Sequence, residues 1–325
     1  MIVRPNVKVN LGLSVLRKRS DGYHDLETLF VPYPAISDLL EITRADVDLA
    51  DLTSQNRLAV ARPLPLRHCR PRPAISSWAP PSYIAEGGMG FGMFESAGHC
   101  GKQAVSADGK LDITIFKAGG IDWDPLQDLT AKAYYLLDAE YGLPPVKIRL
   151  QKNAPVGAGL GGGSADAAFA LCALSELFGL SLPAATLAGL AARLGSDCPF
   201  FIYNRPMLGR GRGEILTPWD MGDFDSKYRL EVSVPEGIAV STADAYRGIV
   251  PREALPEGSI SAAPLEEILR CPVEQWKDIL VNDFETTVFQ KYPALAAFKA
   301  DLYKSGALYV AMSGSGSAFV SIFSK

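Results

Sequence analysis

Five glycines and a serine fall within residues 157–164: Gly157, Gly159, Gly161, Gly162, Gly163 and Ser164, inside NAPVGAGLGGGSADAA (153–168). Without side chains, such an arc lets backbone N–H groups come close to an anion. Ser164 opens SADAAFALCALSELFGL, whose apolar residues recur at helical spacing. Unpaired amides and the positive dipole end at a helix start make a phosphate site, and a tightly packed glycine turn is the alternative. Gly157, Gly159 and Gly162 satisfy the dinucleotide pattern G-x-G-x-x-G, but the next segment, LPAATLAGLAARLG, reads as a second helix rather than a strand. GHCGKQ (98–103) places its second glycine too early for a Walker loop and has Gln103 where Ser or Thr is required.

Other chemistry-bearing residues each admit two readings. Asp197 stands in GSDCPFF, either as a carboxylate beside an apolar wall that could take a hydroxyl proton or as a turn aspartate. Lys8 lies on one strand face with Asn6 and Asn10, opposite Val7, Val9 and Leu11; that polar face is either functional or a solvated edge. Ser164 can contact phosphate or a Mg²⁺-linked group, and can also cap its helix. Tyr23 and His24 follow the turn Asp21-Gly22, where such residues commonly only cap a hairpin. SGSGS (313–317) interrupts the closing apolar segment, and Asn282-Asp283 reads as structural. His68-Cys69 and His99-Cys100 lack zinc-ligand spacing, so no metal site is expected from the side chains.

These segments resemble the small-molecule kinase superfamily of galactokinase, homoserine kinase, mevalonate kinase and phosphomevalonate kinase. Pro155, Gly157, Gly159, Leu160 and Gly161 fit its P-x-G-x-G-L pattern. GLGGGSADAA, together with residues 5–30, LGSDCPFFI (194–202) and MSGSGSAFVSIF (312–323), is similar to its branch acting on 4-diphosphocytidyl-2-C-methylerythritol in non-mevalonate isoprenoid synthesis. The resemblance covers most of 1–42 and 112–325. It implies use of ATP and Mg²⁺, with phosphates held by Pro155, Gly157, Gly159, Leu160, Gly161, Gly162, Gly163 and Ser164. Asp197 is then the general base, Lys8 its charged partner, and Asn10 the brace of that pair. Tyr23 would stack on cytosine, His24 would hydrogen-bond its edge, and Tyr246 would cover the other face. Ser313, Gly314, Ser315 and Gly316 would form a third motif closing on the phosphate loop. Gln127-Asp128 precede Leu129 where the family has Asn-Leu, so the adenine contacts stay unassigned.

The expected reaction is ATP-dependent phosphorylation of the 2-hydroxyl of the cytidyl substrate. The alternatives are a kinase of a mevalonate- or homoserine-type alcohol, or a non-catalytic nucleotide-binding sensor. Composition agrees: 325 residues suffice for two domains, and a net charge of −4 suggests no nucleic-acid partner. No apolar run approaches membrane-spanning length, the start MIVRPNVKVNLGL lacks a signal-peptide region, and five scattered cysteines suit a reducing compartment. A cytoplasmic monomer or homodimer is expected.

Alternating residues over 2–16 and 26–33 read as two strands around a turn, with further strands at 113–116, 146–150 and 228–234. Helices are expected over 129–141, after the glycine loop, near 243–249 and over 279–304. This mixture reads as α+β, without internal repeats. The resemblance implies an S5-like N-terminal domain (1–224) and a ferredoxin-like C-terminal domain (225–325), with the site between them. Residues 44–110 fit neither: five arginines and six prolines crowd 57–81, and almost no periodicity survives. The stretch is expected to be an atypical disordered insertion, or an out-of-frame translation.

Overall fold

The computed structural model describes residues 1–45, 99–255 and 263–325. A five-stranded sheet contains β1 (Ile2–Val3), β4 (Leu39–Arg44), β5 (His99–Val105), β6 (Leu111–Ala118) and β7 (Val146–Lys152), in the order β1-β4-β7-β6-β5. Only β6 and β7 pair in parallel, and α1 (Leu129–Tyr141) makes the crossover that parallel neighbours need. Asp128 caps α1 by accepting the Thr130 N–H at 2.9 Å, and Gly142 ends it in the left-handed region at φ 64°.

A second, antiparallel sheet runs β2 (Asn6–Lys18), β3 (His24–Ser37), β8 (Met207–Gly211) and β9 (Ile215–Pro218). Against these sheets pack α2 (Gly162–Leu177), α3 (Ala184–Leu194) and the short α4 (Cys198–Tyr203). Residues Ala165–Leu171 of α2 are all buried, so the helix is a core element and its N-terminus has a fixed place. The C-terminal part contains α5 (Phe224–Lys227), β10 (Tyr228–Ser233), α6 (Thr242–Tyr246), α7 (Leu265–Arg270), α8 (Phe284–Lys291), α9 (Pro293–Lys304), β11 (Tyr309–Met312) and β12 (Phe319–Ser324). Its antiparallel sheet has the order β10-β12-β11. The architecture is two-part α+β, as expected.

Several elements differ from the sequence reading. Pro5 cannot donate to a ladder, and β1 and β2 consequently belong to different sheets. The helix expected over 279–304 is two helices, because Pro293 keeps Tyr292 out of helical geometry (φ −127°, ψ 74°). The stretch 44–110 is not irregular throughout: Arg44 ends β4, and β5 forms a hairpin with β6. Residues 100–105 of β5 are largely exposed on a sheet edge, so burial imposes no apolar alternation there. The arginine- and proline-rich part, to which the insertion and frameshift readings apply, lies outside the described residues.

The apolar face of β2 ties the halves together. Val7, Val9 and Leu11 share a core cluster with Leu160, Tyr309, Val320 and Ile322, while Leu13 and Val15 join Phe284, Val310 and Phe319. Backbone bonds Leu13 N–H to Val281 C=O and Asp283 N–H to Leu13 C=O, both 2.9 Å, dock the 281–283 segment on β2. Asp283 also accepts the Val15 N–H and a bidentate Arg252 guanidinium, each at 2.8 Å. Asn282, 2 % exposed, donates to the carbonyls of Met312 (2.7 Å) and Gly314 (2.8 Å) and accepts the Phe284 N–H. Among the described residues, no helix is long and apolar enough to cross a membrane.

Asn282→Ala leaves two buried carbonyls without that donor. It is expected to cost ~1–3 kcal/mol of stability; a urea unfolding midpoint equal to that of the unaltered protein would refute this role.

Candidate active site

The turn from Pro155 to Gly161 connects β7 to α2 at the floor of a cavity of about 880 Å³. Gly161 occupies the N-cap with φ 73°, and no side chain caps the helix. The first helical bond runs from Ala165 N–H to Gly161 C=O, so the amides of Gly162, Gly163 and Ser164 precede the ladder. Ser164 is therefore the third helical residue, not the cap. Leu160 is buried in the core and serves through its carbonyl, which accepts the Lys8 N–H at 3.0 Å. At Gly162 a Cβ would meet Ala154 and Lys152 rather than the cavity. Gly159 is irreplaceable on geometry: its φ is +76°, and a Cβ would lie 2.1 Å from the Ser313 carbonyl oxygen.

That approach joins the glycine-rich loop to the SGSGS loop. Gly159 C=O accepts from Ser313 Oγ (3.1 Å) and from Lys8 Nζ (2.9 Å), and Ala318 N–H donates to Ala158 C=O. Ser315 Oγ lies 3.2 Å from Thr242 Oγ1. A Cβ on Gly314 would sit 3.3 Å from Lys8 Nζ; Gly316 belongs to the same turn.

Lys8 is 3 % exposed, and Asn6 and Asn10 are buried beside it, so the face that could have been a solvated edge is interior. Lys8 Nζ donates to Asn10 Oδ1 at 2.6 Å and stands 3.6 Å from Asp197 Oδ2. Burial pushes the Lys8 ammonium below the usual lysine range, while the Asp197 charge acts in the opposite direction. Asn10 Nδ2 donates to Thr28 Oγ1, which fixes the amide that holds Lys8. Asp197 is at the N-cap of α4 but makes no capping bond, and its side chain stays one-third exposed (33 %). The carboxylate is thus available to the cavity.

The other end of the cavity is aromatic. His24 and Tyr246 stack with centroids 4.9 Å apart, and Tyr246 meets Phe284 edge-on at 4.7 Å. Burial, then the neighbouring Lys18 charge, lowers the His24 pKa, which favours its neutral ring. Burial, with the Asp197 charge adding to it, pushes the Tyr246 hydroxyl up to about 12. Tyr23 stands at the rim, 54 % exposed, with the Arg212 guanidinium 4.8 Å from its ring centroid. The structure therefore places Tyr246 against His24, while Tyr23 is the freer ring.

Three features escaped the sequence reading. Lys152 forms buried ion pairs with both Asp38 and Asp166, and Asp38 Oδ1 accepts the N–H groups of Asn153 (2.6 Å) and Ala154 (2.7 Å). This triad anchors the entry to the glycine-rich loop. Its members are far apart in sequence and only folding unites them, so no spacing could reveal it. Trp123 Nε1–H donates to Asp128 Oδ2 at 3.1 Å, placing an indole and the α1 cap on the cavity wall. Arg212 is the third. Among the described residues, no group of three or more His, Cys, Asp or Glu side chains converges as a metal site.

Burial raises the Asp166 pKa well above the aspartate range, opposed by Lys152 and reinforced by Asp38. Asp166 thus binds its proton more tightly when folded. Its stabilising contribution is present at low pH and is lost as pH rises through that raised pKa. Asp166→Asn, which cannot ionise, is expected to reduce the stability loss on going from about pH 4 to 8. Urea midpoints across that range provide the measurement, and an unaltered slope would count against it.

Comparison with known proteins gives the site its relatives. The domain families "GHMP kinases N terminal domain" and "GHMP kinases C terminal" match residues 128–205 and 265–325. A 4-diphosphocytidyl-2-C-methyl-D-erythritol kinase of Bacteroides fragilis is 38 % identical over 325 residues, covering 100 % of this chain and 92 % of the relative. Its namesake from Parabacteroides distasonis is 37 % identical over 327 residues, with the same coverage of 100 % and 92 %. A crystal structure of 4-(cytidine 5'-diphospho)-2C-methyl-D-erythritol kinase superposes with a TM-score of 0.65 at 28 % identity, covering 99 % of this chain and 89 % of that one. Mevalonate kinase of Methanococcus jannaschii (TM-score 0.52, 12 % identity, coverage 100 % and 90 %) shares the fold. By full-length similarity to these relatives, the chain belongs to the 4-diphosphocytidyl-2-C-methyl-D-erythritol kinase family of GHMP kinases.

Proposed function

We infer that this chain catalyses ATP-dependent phosphorylation of the 2-hydroxyl of 4-diphosphocytidyl-2-C-methyl-D-erythritol, a step of isoprenoid precursor synthesis. The observation that carries this reading is one cavity bearing the uncapped glycine loop, the Lys8–Asp197 pair and an aromatic end. It works in the proposed division of the chain into 1–224 and 225–325, since both parts line that cavity.

The residues present suit ATP. Amides of Gly162, Gly163 and Ser164 have no other helical partner and would hold its phosphates. Mg²⁺ would be held on the chain's side by the Ser164 hydroxyl and would supply neutralisation of phosphate charge. Asp197 accepts the proton of the substrate hydroxyl as that oxygen bonds to the transferred phosphorus and the bond to ADP breaks. Two Lys8 N–H groups serve Asn10 and Gly159, leaving the third for Asp197 or the phosphoryl oxygens. Tyr23 offers a face to cytosine and neutral His24, fixed by Tyr246, offers one donor and one acceptor to its edge.

ADP release measured with the cytidyl alcohol, mevalonate and homoserine tests the substrate, with turnover expected for the first alone. Asp197→Asn is expected to lower kcat by about 10²-fold or more with ATP binding retained. Near-normal turnover in that variant would remove Asp197 from the mechanism. Tyr23→Ala is expected to raise KM for the cytidyl substrate by an amount equivalent to about 1–3 kcal/mol, leaving KM for ATP nearly unchanged. Equal changes in both constants would show hairpin disruption instead of lost stacking.

A further inference from the structure

Lys8, Lys152 and Arg212 are the lysine and arginine side chains on the described cavity wall. Two are already committed. Lys152 pairs with Asp38 and Asp166, and Lys8 bonds to Asn10 and Gly159 beside Asp197. Arg212 differs. Its Nε stands 3.5 Å from Glu214 Oε1, longer than an ordinary charge-assisted bond, while Glu214 Oε2 accepts Arg212's own backbone N–H at 2.6 Å.

The position of Arg212 is as informative as its charge. It sits in the turn between β8 and β9, with Gly211 and Gly213 at φ 67° and 106° on either side. A Cβ on Gly213 would lie 3.7 Å from Asp197 Oδ1, so the turn passes beside the reacting end. The guanidinium itself lies over Tyr23, at the aromatic end. Arg212 consequently stands between the two places that the proposed substrate must reach. That substrate carries a diphosphate between its cytidine and its reacting alcohol.

We propose that Arg212 is a specificity-determining residue that binds the diphosphate of the cytidyl substrate. This rests on the substrate reading above. A guanidinium lying on an aromatic ring keeps its N–H edge open, and that planar edge matches two phosphate oxygens bidentately. The contact also orients the chain, placing the hydroxyl at Asp197 while the base stays at Tyr23 and His24. No covalent change occurs at Arg212.

Arg212→Met and Arg212→Lys test the proposal, with cytidine and CDP as competitive probes and KM measured for both substrates. The unaltered enzyme is expected to bind CDP more tightly than cytidine. Arg212→Met is expected to lose about 10- to 100-fold of that preference and to raise KM for the cytidyl alcohol comparably. KM for ATP should stay within about twofold, and Arg212→Lys should recover part of the loss. An active enzyme whose CDP-to-cytidine preference survives in Arg212→Met overturns this inference alone, as does an equal rise in both KM values. An unaltered protein inert toward the cytidyl alcohol overturns the substrate reading and this inference with it.

Discussion

The burial of the Lys8 ammonium is the constraint around which the site is organised. A charged group removed from water is costly unless its donors are all engaged. Asn10, Gly159 and Asp197 supply those partners from β2, the glycine-rich loop and the start of α4. Satisfying one side chain therefore holds three distant segments in register. The Gly159 carbonyl extends the arrangement by also accepting Ser313 Oγ, which brings in the C-terminal loop.

A second buried cation stabilises the other end of the glycine-rich loop. Lys152 bridges Asp38 and Asp166, and Asp38 holds the two amides that follow β7. Burial raises the Asp166 pKa and Lys152 opposes that shift, so the pairing offsets part of the cost of burying these groups. The loop is thereby fixed at both ends without a side-chain cap on α2. Among the described residues the amides of Gly162, Gly163 and Ser164 have no backbone partner, which suits them to an anion.

These internal pairings also divide labour among the cavity's cations. Lys8 and Lys152 are structural as well as electrostatic, since their carboxylate partners lie within the protein. Arg212, half-buried on the β8–β9 turn and loosely paired, can respond to a ligand at little cost to the fold. The aromatic end is similarly graded. Tyr246 is packed between His24 and Phe284, whereas Tyr23 remains open at the rim.

The local sequence was enough to locate the glycine-rich loop, the alternation of β2 and the two helices after residue 161, because glycine freedom and apolar periodicity are properties of short segments. Resemblance singled out Lys8, Asp197, Tyr23, His24 and Tyr246, for which residue types alone left function and bland alternatives open. The break at Pro293 was legible in principle, whereas edge strand β5 was not, since an exposed strand needs no apolar pattern. Tertiary structure alone decided that the Asn6-Lys8-Asn10 face is interior, that Tyr246 stacks on His24, and that Asp38, Lys152 and Asp166 meet. Each of those facts depends on desolvation and pairing between residues far apart in the chain. Such free energies arise only when the segments pack, so they leave no periodic trace in the order of the amino acids.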